Sequence, residues 1–121
     1  MSVQWIEHKG KRILYSDHRG QTPHQITEGA ELSAKLAREV LEPEKILFLT
    51  DLEGAVVDIV TLAKIKQLGK EVYEPKCEKT AIVGIHGLNH MLLSAYNRVT
   101  GAGENQKLFD TQEEALEWLV S

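Results

Sequence analysis

Acids, histidines and an arginine gather in three short stretches: Asp17-His18-Arg19, Asp51-Leu52-Glu53, and His86-Gly87 with Asn89 and His90 just after. Each stretch follows a run with the length and apolar character of a strand. Open α/β sheets bind ligands outside the carboxyl ends of their strands, so residues at these ends could meet. Asp17 and Asp51 would then form a carboxylate pair suited to general acid–base work if one pKa were raised. The plainer expectation is structural, because Asp at a strand end commonly caps the next turn or helix. His86 and His90 have the four-residue spacing of a zinc pair on a helix face. Gly87 assigns His86 to the strand end instead, and no Glu follows it directly, so no metal site is expected.

The stretch Gly84-Ile85-His86-Gly87 before a helical pattern could hold an anion on free backbone N–H groups, with Arg19 or Arg98 as a bidentate partner. The same glycines equally permit close strand-to-helix packing. Neither the P-loop nor the dinucleotide-binding glycine pattern is present. Asp17, His18, Arg19, His86, Gly87 and His90 are therefore a candidate anion or ligand site, with no residue assigned a catalytic role. Cys77 lies in a charged connection with no base implied beside it, and Ser94 lies mid-helix without an elbow motif, so neither reads as a nucleophile.

A different signal comes from Asp51 to Thr61, DLEGAVVDIVT. Between Ala55 and Ala63 seven of nine residues are apolar, more than the stripe of about 100° that a helix needs to lie on a sheet. Val56, Val57 and Val60 form the surplus. The chain's own helices or loops could cover it, or it could be a dimer interface, a partner surface or the wall of an apolar pocket. Asp51, Glu53, Val56, Val57, Asp58, Val60 and Thr61 are the candidate partner- or ligand-binding residues.

The elements that must position these residues are legible from pattern. Val3 to His8 and Arg12 to Asp17 read as strands joined by a glycine turn. Thr27 to Leu41 reads as a helix stopped by Pro43. Lys45 to Thr50 is an apolar run typical of a strand buried on both faces. A second helix is expected from Ala55 to about Val72, a strand over Thr80 to Ile85, and a helix from Leu88 to Val99. A short strand over Lys107 to Asp110 precedes a helix opened by a capping box at Thr111 and Glu114. The order β-β-α-β-α-β-α-β-α predicts a mostly parallel five-stranded sheet with an N-terminal hairpin and four helices.

The bulk properties fit one soluble domain over residues 1–121. The apolar fraction is 42% and the charged fraction 26%, both ordinary for a globular chain. A net charge of −4 argues against nucleic-acid backbone binding. A single cysteine precludes an internal disulfide. No signal-peptide pattern or apolar run of membrane-spanning length appears, so a cytoplasmic protein without cofactor is expected.

The element order, together with RILYSDHRG, ILFLTDLEGAVV, AIVGIHGLNHMLLSAYNRVTG and LFDTQEEALEWL, resembles the SpoIIAA-like STAS superfamily. The closest likeness is to the small bacterial SpoIIAA-like proteins, whose fold is also similar to CRAL-TRIO lipid-transfer domains. The resemblance implies a single STAS-like domain and a functional turn at the start of the second helix. Phosphorylated STAS antagonists carry an Asp-Ser-Ser-Gly type of turn there. Asp58-Ile59-Val60-Thr61 stands at the matching positions, with the aspartate kept and both serines replaced by apolar residues. Thr61 is the remaining hydroxyl for any phosphorylation. The expectation is a non-enzymatic regulatory or protein-interaction module, binding a protein partner or itself as a homodimer. The alternative is a small-molecule or lipid carrier.

Overall fold

A computed structural model of the chain describes residues 2–87 and 105–121. Strands β1 (Val3–His8) and β2 (Lys11–Asp17) form an antiparallel hairpin. Its two turn residues, Lys9 and Gly10, both have positive φ, which matches the turn to the right-handed twist of the strands. Helix α1 (Pro23–Arg38) leads to β3 (Ile46–Asp51), and α2 (Ile59–Leu68) leads through a π-helical turn (Gly69–Tyr73) and a short α3 (Glu74–Lys76) to β4 (Cys77–Val83). β5 (Gln106–Phe109) and α4 (Gln112–Val120) close the chain. The strands lie side by side in chain order, and all pairings after the hairpin are parallel.

The expected helix over Leu88 to Val99 lies outside the described residues. The other elements stand where the pattern placed them, with shifted ends that have local causes. α1 begins at Pro23 rather than Thr27 because Thr22 and Gln25 form a reciprocal capping box ahead of an N-terminal proline. α2 begins at Ile59 rather than Ala55 because Asp58 is its N-cap, accepting from the Thr61 N–H at 2.8 Å. Val56 and Val57 therefore belong to the loop before the helix. β4 begins at Cys77, paired with Ile46, and ends at Val83 because Gly84 turns the chain with a φ of 90°.

The sheet is covered on both faces. Ala30, Ala34 and Ala37 of α1, with Leu68 and Val72, pack on Leu14, Ile46 and Phe48. Ala115 and Leu119 of α4 pack on Ile13, Leu47, Leu49, Ala81 and Val83 on the opposite face. Small residues on α1 let the helix approach closely, while the strands supply the bulk. Strand alternation decides which side chain serves which face. Leu14 and Ser16, Phe48 and Thr50, and Thr80 and Ile82 face α1 and α2; Ile13, Tyr15, Leu47, Leu49 and Asp51 face α4. Leu49 is fully buried at the centre of the middle strand, so Leu49→Ala should lower unfolding free energy by about 2–5 kcal/mol in urea titration.

Candidate functional site

β2, β3 and β4 end at one level, with Asp17 beside Asp51 and Asp51 beside Val83. The loops that follow are tied together by backbone hydrogen bonds. His18 N–H donates to the Asp51 carbonyl at 2.9 Å, Gly20 N–H to Glu53 at 2.9 Å, Leu52 N–H to Val83 at 2.8 Å and Val56 N–H to Gln21 at 3.0 Å. Gly84 lets the third loop join them. A Cβ at that position would lie 2.4 Å from the Glu53 backbone nitrogen. Positive φ and close backbone approach both call for glycine here.

The expected polar cluster is divided by the sheet. Asp51, 4% exposed, accepts from the Glu53 N–H at 3.0 Å through Oδ1 and from Gln112 Nε2 at 2.7 Å through Oδ2. Gln112 also donates to the Tyr15 hydroxyl at 2.9 Å, so Asp51 anchors the start of α4. Burial pushes the Tyr15 hydroxyl pKa up. Asp17 makes a two-point contact with Arg19, at 2.8 Å to Nε and 2.8 Å to Nη2. That guanidinium holds the Asp17 carboxyl below its usual range. The two aspartates are neighbours across β2 and β3, but each is committed to a different structural partner, as turn and cap residues are.

His18 lies on the other side. It is 4% exposed, and its Nδ1 pairs with Gln21 Oε1 at 2.9 Å, which puts the proton on Nδ1. Gly29 of α1 makes room for the ring, since a Cβ there would stand 2.6 Å from His18 Cε1. Gln21, Gly29 and Gln112 thus complete this end of the molecule, and none had a signal beyond a glycine set inside a helical pattern. His86 Nε2 lies 2.6 Å from Glu53 Oε2 on the surface, joining the loop after β4 to the loop after β3. His90, Asn89 and Arg98 lie outside the described residues, and so does the expected helix after Gly87. Among the described residues no three His, Cys, Asp or Glu side chains gather as a metal-binding group. Cys77 is half-buried, and burial pushes its thiol pKa up, the opposite of nucleophile activation.

The start of α2 is apolar and bare. Ile59 is 83% exposed and Val60 78%, with Val56, Val57 and Leu62 exposed beside them. The neighbouring Thr61 is 2% exposed, and its hydroxyl points at the Pro23 carbonyl at 3.4 Å. The single hydroxyl at the turn is therefore turned inward. Val57 and Leu62 also border a cavity of about 1050 Å³ between α1, α2 and the sheet. Ile26, Ala30, Phe48, Ile65 and Ile82 supply apolar wall, and Ser16, His18, Ser33 and Thr50 supply polar groups.

No family model and no curated protein matches the chain. Among solved structures it is similar to an uncharacterised protein of the DUF3478 family with a SpoIIAA-like fold from Shewanella loihica PV-4. The two superpose with a TM-score of 0.75 at 19% identity, over 97% of this chain and 91% of the other. The fold expected from the sequence, an α/β SpoIIAA-like domain, is the fold of this chain.

Gly84→Ala combines left-handed strain with a backbone clash and should cost about 2 kcal/mol or more, measured by thermal or urea unfolding. The lowered folded pKa of Asp17 means that its pair with Arg19 stabilises the fold above the unfolded value of roughly 3.9 and that this contribution is lost as pH falls through the folded value. Arg19→Ala should raise the Asp17 pKa in an NMR titration and move the acid limb of the stability curve to higher pH.

Proposed function

We propose that this protein is a non-enzymatic regulatory or protein-interaction module that works through the apolar start of α2. The observation that carries this reading is the exposure of Ile59 and Val60 beside Val56, Val57 and Leu62 on one continuous segment. Isolated surface apolar residues are ordinary, but a contiguous apolar patch marks a binding surface. The place of the patch, in the turn between a central strand and a helix, favours a surface held firm by the sheet. The commitments of Asp17, Asp51 and His86 to structural partners, rather than to one another, weigh against an acid–base catalyst.

The cavity favours a second reading, a carrier for a small apolar ligand. Its walls combine aliphatic and aromatic side chains with hydroxyls and with His18, Glu74, His86, Asn105 and Gln106, an apolar site with polar groups that could orient a ligand. Native mass spectrometry on gently purified protein would find a bound small molecule under this reading and bare protein otherwise.

Charge placed on the patch separates surface from scaffold. Ile59 and Val60 occupy the first turn of α2, where an acidic residue suits the helix dipole, so Val60→Asp should keep the fold. Paired pull-downs with wild type and Val60→Asp should show partners held by the first and lost at least tenfold by the second, as burial of a valine implies. Lysate proteins or untagged chain captured equally well on both baits would sink the reading.

A further inference from the structure

We infer that the occupant of this surface is a second copy of the chain, docked α2 against α2 in an antiparallel, two-fold arrangement. The inference rests on the reading of α2 as an interaction surface and names its partner. The exposed positions of α2 form one stripe. Ile59, Ala63 and Lys66 follow at helical spacing, with Val60, Leu62 and Gln67 at the flanks. The stripe changes character along its length. Its first turn and a half is apolar, and beyond it come Lys66 and, in the π-helical turn, Lys70. Its other end carries the Asp58 carboxylate, the helix N-cap, which accepts from the Thr61 N–H through Oδ1. Among the described residues Asp58, Lys66 and Lys70 take part in no ion pair.

A stripe that runs from acid through apolar to cation is complementary to its own reverse. An axis passing beside residue 61 would set Ile59 against the partner's Ala63, with Val60 beside the partner's Val60 on one flank and Leu62 beside the partner's Leu62 on the other. The same operation brings Lys66 to the partner's Asp58 end of the helix. Antiparallel dipoles add to the match, since each positive N-terminus meets a negative C-terminus. Parallel pairing would oppose Asp58 to the partner's Asp58 and Lys66 to the partner's Lys66, placing like charges together. A two-fold contact also closes on itself, so the apolar patch is used up without leaving a surface that propagates into fibres.

Sedimentation equilibrium on the full chain tests the occupant. The expected result is a monomer–dimer equilibrium whose dissociation constant rises at least tenfold in Val60→Asp, with the circular dichroism spectrum unchanged. Cysteine pairing tests the arrangement. In a Cys77→Ser background, a mixture of Ile59→Cys and Ala63→Cys chains should oxidise to disulfide-linked pairs, while Lys70→Cys chains should not link to themselves. A chain that stays monomeric to millimolar concentration overturns the second-copy inference, and the paired pull-down still decides the broader reading. A dimer that Val60→Asp leaves intact, or Lys70→Cys chains that self-link as fast as the mixed pair, overturns it equally.

Discussion

In-register parallel pairing of β2, β3 and β4 brings three strand ends to one level, and the loops beyond them are bound into a single platform by backbone hydrogen bonds. Unpaired backbone groups are costly away from water, so each of these loops takes its conformation from its neighbour. Gly84 is the narrowest point of the platform, because no side chain fits between its backbone and that of Glu53. The direction in which Asp58 launches α2 follows from this platform, and so does the position of the apolar turn on the surface.

The sheet imposes a second constraint, its period of two. Asp17 and Asp51 point to the α4 face, where Arg19, Tyr15 and Gln112 absorb their charge and hydrogen bonds. His18 turns to the α1 face and rests on Gly29. Residues that look like one polar cluster along the sequence are separated by a layer of strands. Their hydrogen bonds tie the loops to one another and to α4, and the loops fix the apolar turn.

That turn shows how an apolar surface is left exposed at the start of a helix. Val56 and Val57 are in the loop and Ile59 and Val60 in the first helical turn, so the apolar residues splay outward while Thr61 and Leu68 hold the helix to the fold. A helix buries the side chains on one stripe only. Those on the other stripe remain available to a partner, and here they are apolar where solvation would favour polar groups.

Most of the architecture was legible in the chain. Strand and helix periods, the Lys9-Gly10 turn and the capping pattern at Thr111 are local, and local rules govern them. The apolar surplus at Val56, Val57 and Val60 was legible too, since counting apolar residues against one stripe needs no coordinates. The ends of α2 and β4 were less so, because Asp58 as a cap and Cys77 as a strand partner depend on which neighbour each finds. The sequence by itself determined the order of elements, the α/β fold and an apolar segment larger than one helix face can use. Only the tertiary structure decided that Asp17 and His18 serve opposite faces, that Thr61 points inward and that Ile59 and Val60 stand bare. Those outcomes depend on register and on contacts between residues far apart in the chain, such as Asp51 with Gln112 and Thr61 with Pro23, and no local pattern encodes them.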